Sequence, residues 1–419
     1  MLRSLSTAVS GLRNNQTRLD VIGNNIANVN TVSYKSTAVR FQEIFNQTMR
    51  GATAPGAERG GMNPMQIGLG MSIAAIDTNH GQGAISSTGR ETDLAIEGRG
   101  FFVVGSGNQQ HFTRDGSFAR DAAGLLVNAA GHRLMGWTMA EGAALDTSQP
   151  LGSIHIPLGE EMIASPTQNI RFSGNLDARA ADEDTYSHPV NVFDSLGNKH
   201  PLLFVFTKTA TDNEWNMEVQ RFNAVTEEFE NIPGYAAARL IFTETGQFVA
   251  PDGAAGSNIP EFEFDFGAGA EEVTINFDFN AATQVAFSSN VIAREQDGFA
   301  PGEMVSFSIE STGKVAGTYS NGMTREIGQI ALAAFANPQG LVKHGSNLYT
   351  VSSNSGEARI GAAGTEGRGL IQSGALEMSN VDLAQEFTDM ITTSRAFQAN
   401  TRMISASDEI LVELLNIKR

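Results

Sequence analysis

Apolar residues recur every seven positions at both ends of the chain. Near the start the row is Leu5, Leu12, Leu19 and Ile26; near the end it is Met390, Phe397, Ile404 and Leu411. Seven-residue spacing marks one seam of a long helix that packs on another helix. It predicts a helix over about residues 4–29, opened by Ser4 or Ser6. The Asn-rich run 23–31 closes it, because Asn side chains compete with the helical backbone and favour a turn. Gly11 and Gly23 each weaken this helix by about 1 kcal/mol relative to Ala. Beyond Gly374 there is neither Gly nor Pro. A second helix of about 36 residues, roughly 54 Å long, is expected there. Asn380 or Asp382 caps it, and Leu383, Phe387 and Leu415 extend its seam. Ser394, Thr401 and Asp408 interrupt that seam. A lone pair of such helices is therefore marginal, and full order is expected when neighbouring copies pack around them.

Between the ends the period changes to two. Phe262, Phe264 and Phe266 alternate with acidic residues, and Val273, Ile275, Phe277 and Phe279 alternate with polar ones. The glycine run 267–270 lies between, which predicts a hairpin with one buried and one wet face. Residues 202–206 and the Trp215, Met217, Val219 alternation add strands. So do residues 101–104, 329–335 and 347–351, and Asp115-Gly116 and residues 121–124 read as turns. Residues 51–70, rich in Gly, Pro, Ala and Met, read as a loop or linker.

The expected architecture is multidomain α+β, with coiled-coil-like paired terminal helices and two nested, mainly antiparallel β domains. Residues 1–32 and 378–419 form the helical domain and 33–75 an extended linker. Residues 76–148 and 286–377 form an inner β domain, and 149–285 an inserted outer one. A length of 419 residues suits two or three cores.

A net charge of −18 disfavours nucleic acid and anionic membrane as partners. The termini are weakly complementary: Arg3, Arg13 and Arg18 outnumber Asp20 at the start, while six carboxylates face four cations over 378–419. With no cysteine there is no disulfide or thiol chemistry. No run reaches the length of a membrane span, and the start lacks the apolar stretch of a secretory signal. These features leave a cytoplasmic protein or one exported without a cleaved signal.

Catalytic chemistry finds little support. The chain has no G-x-S-x-G elbow, P-loop or G-x-G-x-x-G. Its seven histidines are scattered without zinc spacing. His188 and His200 near Asp194 read as loop histidines beside Pro189 and Pro201, and Asp182-Glu183-Asp184 as a solvated acidic loop. No cofactor, metal or catalytic residue is expected.

Two terminal segments carry a resemblance. Ser6-Thr7-Ala8-Val9-Ser10-Gly11-Leu12 with Leu19-Asp20-Val21-Ile22-Gly23-Asn24-Asn25-Ile26-Ala27-Asn28-Val29-Asn30-Thr31 resembles the N-terminal signature of bacterial flagellar rod and hook proteins. Gly374-Ala375-Leu376-Glu377-Met378-Ser379-Asn380-Val381-Asp382-Leu383, followed by Arg395-Ala396-Phe397-Gln398-Ala399-Asn400, is similar to the closing motif. Phe112-Thr113-Arg114-Asp115-Gly116-Ser117-Phe118 resembles the central strand-turn motif. Ser33, before Tyr34-Lys35, stands where the family usually has Gly. Residues 192–200 and 202–208 resemble the extra outer domain of the hook branch, and the length favours that branch over the shorter rod proteins. Phe41-Gln42-Glu43-Ile44-Phe45 resembles a short aromatic export-gate motif, although Phe41 and Phe45 at helical spacing also suit simple packing.

The resemblance implies a non-enzymatic hook subunit that polymerises into a flexible curved tube, couples the motor rod to the filament and transmits torque. The implied partners are further copies of itself, the distal rod protein, the hook cap, the hook-filament junction proteins and the flagellar type III export apparatus. The implied location is extracellular. A distal rod or hook-associated protein is the nearest alternative. A secreted β-rich hydrolase or adhesin is remote, since it needs an acid pair or metal site that the sequence lacks.

Overall fold

Both seven-residue rows lie on helices. The structure, a computed structural model, describes residues 2–417 apart from 56–59, 107–108, 140–148, 160, 163, 224–227, 233–237, 250–261 and 267–268. Helix α1 spans Leu2–Ala27 and helix α2 spans Leu383–Ile417. Asp382 caps α2: its Oδ1 accepts from the backbone N–H groups of Ala384 at 2.9 Å and Gln385 at 3.3 Å. The helices pack antiparallel, with Asn25 beside Glu386, Arg18 beside Asp389 and Gly11 against Asn400. This register carries the last turns of α2 past the start of α1.

Two compact units form. One comprises Met1–Pro157, Phe307–Gly317 and Arg325–Arg419; the other comprises Leu158–Ser306 and Thr318–Thr324. The sequence placed the inserted domain at 149–285, whereas the second unit continues to Ser306. Pairing is the reason, because strand Ile292–Gln296 joins strand Asn169–Asp177 in the same sheet.

In the first unit, strand Phe101–Ser106 pairs with Gln109–Thr113 on one side. On its other side it pairs with Arg133–Thr138 and Thr324–Ala334. The pleat sends Phe101 and Val103 into one core with Phe112, Trp137, Phe335 and Tyr349. Phe102 and Val104 point the opposite way and are also fully buried. Within residues 33–75, expected as a linker, segments 37–50 and 65–75 instead pair into a two-stranded ribbon. Strand β1 (Thr37–Glu43) continues into β2 (Asn46–Arg50), and β3 (Met65–Gly68) returns into β4 (Met71–Thr78). Neighbour-to-neighbour hydrogen bonds order this ribbon, a constraint that apolar periodicity does not reveal.

The second unit is a β-sandwich. One sheet runs Phe262–Phe264, Val273–Val285, Asn169–Asp177, Ile292–Gln296. The other runs Thr185–Phe193, Lys199–Lys208, Glu214–Asn223, Ala238–Phe242, Phe248–Val249. The hairpin read from the alternating Phe residues is present, with Phe262 opposite Ile275 and Phe264 opposite Val273. Residues 267–268 of its turn lie outside the described residues. Phe172 meets Phe204 at 4.9 Å and stacks on Phe279 at 4.5 Å, knitting the two sheets into one core. Most pairings are antiparallel; Asn169–Asp177 with Val273–Val285 is parallel.

Candidate assembly surface and the clamp at the helix root

The α1 face turned to α2 is small and polar. Ala8, Gly11, Asn15, Ile22 and Asn25 are buried along it. A Cβ on Gly11 would lie 2.7 Å from Asn400 Nδ2, so glycine here sets how closely the helices approach. Leu5, Leu12, Leu19 and Ile26 do not form that face; they lie half-buried beside it. On α2, Met390, Phe397, Ile404 and Leu411 are half-buried and share the inner side with buried Thr393 and Ser407. Leu383 and Phe387 face outward, Phe387 being 49% exposed, with Ile391, Met403, Ile410 and Val412 also exposed. The side chain of Leu415 lies outside the described ones. The two helices thus meet through a thin seam and keep their larger apolar groups at its edges. The Ala8, Asn15, Ile22 row has the same seven-residue spacing as the leucine row, and hydrophobicity alone ranked it below that row.

Beneath the helices the three resemblance motifs converge. Glu377 is fully buried and binds two cations: Lys35 Nζ at 2.6 Å and Arg114 Nε at 3.0 Å. Gly83 N–H also donates to its Oε1. Lys35 donates further to Gly81 O, and Arg114 to Gly98 O and Gly100 O. Burial holds the Lys35 ammonium below the usual lysine value, and Glu377 opposes that shift. Ser33 adopts φ +56°, the left-handed conformation natural to Gly, and its hydroxyl donates to Arg114 O at 2.8 Å. The sequence reading missed this triad. Its signal was two cations and one carboxylate embedded in otherwise apolar or turn-forming motifs.

Two asparagines tie the helix ends to the clamp. Asn25 Nδ2 donates to Thr37 O and Glu386 Oε1, while its Oδ1 accepts from Tyr34 Oη and Thr37 N–H. Asn380 Oδ1 accepts from Ser36 N–H, and its Nδ2 donates to Asn79 O and Gly81 O. Burial raises the Glu386 carboxyl above its usual value, and the Asn25 hydrogen bond opposes that. Gly116 has no room for a Cβ, which would overlap Leu94 O.

The ribbon is the second apolar surface. Phe41 and Phe45 sit on a strand and just past its end, not on a helix, so helical packing of this pair does not occur. Phe41 is half-buried beside a register shift at Arg40/Phe41, and Phe45 is 71% exposed. Ile44, Met49, Met62, Met65 and Ile67 are exposed as well.

His188 and His200, read from the sequence as loop histidines, lie instead on strands Thr185–Phe193 and Lys199–Lys208, which pair with each other. His200 Nε2 lies 2.9 Å from Asp194 Oδ2, and the carboxylate also accepts from Leu196 N–H and Asn198 N–H in a tight turn. Burial pushes the Asp194 carboxyl up, but the bonds from His200, Asn198 and Leu196 prevail and hold it low. Among the described residues no group of three or more His, Asp or Glu is arranged to hold a metal ion. No described helix is long and apolar enough to cross a membrane.

Comparison with known proteins accounts for the whole length. Residues 5–35 match the family "Flagella basal body rod protein", and 95–174 the "Flagellar hook protein FlgE/F/G D1 domain". Residues 162–299 match the "Flagellar basal body protein FlaE D2 domain", and 372–417 the "Flagellar basal body rod FlgEFG protein C-terminal". The chain is 40% identical to the flagellar hook protein FlgE of Borreliella burgdorferi, covering 100% of both chains. It is 32% identical to the flagellar basal-body rod protein FlgG of Bacillus subtilis, again over 100% of both. The crystal structure of the Helicobacter pylori flagellar hook protein FlgE2 shares the fold, with a TM-score of 0.57 at 16% identity over 70% of this chain and 100% of that one. With a clamp built from all three motifs and full-length relatives above the level of chance similarity, the chain belongs to the flagellar hook protein family, whose members are structural subunits and not enzymes.

Proposed function

We propose that this chain polymerises into the curved tube of the hook, joins the rod to the filament and transmits torque. The observation that carries this reading is the apolar edge left on α2, Leu383, Phe387, Ile391, Met403, Ile410 and Val412, in a chain whose β units each have a core of their own. Exposed apolar groups on α2 beside the half-buried leucine row of α1 suit a subunit flanked by copies of itself. Contacts between unlike surfaces, repeated without closing, build a helical tube. The proposed assembly rows are Leu5, Leu12, Leu19 and Ile26 on α1, and Leu383, Phe387, Met390, Phe397, Ile404, Leu411 and Leu415 on α2.

The far end of the ribbon supports the same reading, since β2 and β3 are exposed on both faces and two such strands have little independent stability. At the ends of the polymer the partners are the distal rod protein, the hook cap and the junction proteins. Export proceeds unfolded through the flagellar type III apparatus, with Phe41 and Phe45 as its recognition pair. The buried clamp then forms only after both termini have left the channel.

Negative-stain microscopy of the purified chain in assembly-promoting salt tests the proposal. Native protein should form tubes, curved ones favouring hook over rod. Phe387→Asp should stay monomeric with its β units folded. Normal tubes from this variant would remove α2 from the interface. Straight rigid tubes from the native chain would favour the rod reading.

A further inference from the structure

Three histidines far apart in sequence meet on one face of the first unit. His111 lies on strand Gln109–Thr113, His132 follows the turn after Leu126–Val127, and His344 lies on strand Val342–Gly345. The His111 ring centre is 5.3 Å from that of His132 and 5.6 Å from that of His344. His111 is buried, His132 half-buried and His344 exposed. The Nδ1 atoms of His111 and His132 are buried without a hydrogen-bond partner. These rings are not arranged to share a metal ion.

Among the described residues no carboxylate acts on His111, whose charged neighbours are His132 and His344. Segments 101–106, 109–113, 126–138 and 342–350 contain neither Asp nor Glu. Their other titratable groups are Arg133, Lys343 and Tyr349. Arg133 follows His132 directly, opens strand Arg133–Thr138 and is exposed. Lys343 and Tyr349 belong to the opposite face, where Lys343 lies over the Tyr34 ring and Tyr349 packs on His80 and Phe101. Protonating the row therefore sets imidazolium charges against one another in a partly buried site.

The position of the row gives it a consequence. The hairpin 342–350 bridges the sheet and the helix root. Thr113 Oγ1 donates to Asn347 O at 2.9 Å on the sheet side. On the root side Asn347 Nδ2 donates to Val32 O at 2.8 Å, and Lys343 Nζ donates to Thr37 Oγ1 at 3.2 Å and Lys35 O at 3.4 Å. We infer that the His132–His111–His344 row is a proton-operated latch: neutral, it holds the 342–350 hairpin on the sheet and fixes the root of α1; protonated, it frees both.

The sign follows from burial and repulsion, which lower the His111 pKa below the ordinary imidazole value. The folded state then binds fewer protons than the open state, so closure is favoured above about pH 6.5 and weakens as pH falls below it.

Hydrogen exchange of the full-length chain at about pH 8 and about pH 5, corrected for the intrinsic rate, reads the latch directly. Native protein should lose protection several-fold in 342–350 and 28–37 at the lower pH, with the sandwich unit unchanged as an internal control. His111→Leu should abolish that loss. If His111→Leu does not fold, His132→Gln/His344→Gln, at the less buried positions, should shrink it. A native chain with equal protection at both pH values overturns the latch. So does an undiminished loss in the folded variants, which would move the acid response to His80, pushed down to about 4 by burial and by nearby Lys35 on the opposite face.

Discussion

Ser33 shows how one residue carries a constraint that its type does not advertise. A left-handed backbone costs a non-glycine residue about 1–2 kcal/mol, and here a buried hydroxyl bond to Arg114 O offsets it. Ser33→Gly removes both the cost and the bond, so its urea midpoint should lie near the native one. Ser33→Ala keeps the cost and loses the bond, and should be less stable by about 1 kcal/mol. Equal midpoints for Ser33→Ala and native protein would show that the bond contributes nothing. Glu377 carries more. It is the sole carboxylate bonded to Lys35 and Arg114 among the described ion pairs. Glu377→Ala strands two buried cations and should cost roughly 3–5 kcal/mol in denaturant unfolding of the first unit. A loss under about 1 kcal/mol would mean that the triad relaxes into solvent.

At the scale of elements, the helix pair separates two kinds of apolar position. Phe397 lies on the inner side of α2, whereas Phe387 points outward. Phe397→Asp should therefore loosen α1 from α2 within one molecule, seen as faster hydrogen exchange in both helices. Phe387→Asp should leave monomer exchange unchanged and act only on polymerisation. Matching exchange profiles for the two variants would contradict the assigned faces. Gly11→Leu tests the close approach itself. The larger side chain must displace Asn400, so it should separate the helices although leucine favours helix over glycine by about 1 kcal/mol.

The whole molecule divides its labour between cores and ends. The sandwich closes over its own aromatic core, and the first unit closes over Phe101, Phe112, Trp137 and Phe335. A chain of residues 33–377 keeps Lys35, Arg114 and Glu377 and should retain both β units by circular dichroism. Having lost both helices, it should form no tubes in assembly salt. Tubes from this truncated chain would place the polymer contacts on the β units instead. The terminal motifs are then best understood together, because residues 33–35, 114 and 377 are one site in the fold although they span most of the sequence.

The sequence alone determined the features that repeat along the chain. Period seven marked both helices and period two the Phe-rich hairpin, because each is a local pattern imprinted by one buried face, while the cap of α2 was narrowed to Asn380 or Asp382. The sandwich unit's strands at 202–206 and 215–219 were legible for the same reason. Only the tertiary structure decided which helical row faces inward, since Leu12 and Asn15 both lie on seven-residue rows and close approach at Gly11 favours the smaller side chains. Only it paired segments 37–50 and 65–78 into a ribbon, through backbone hydrogen bonds that no side-chain pattern encodes. The Lys35–Glu377–Arg114 clamp and the histidine row were beyond sequence periodicity altogether, because their members come from segments up to 342 positions apart and are joined only by the folding of the chain.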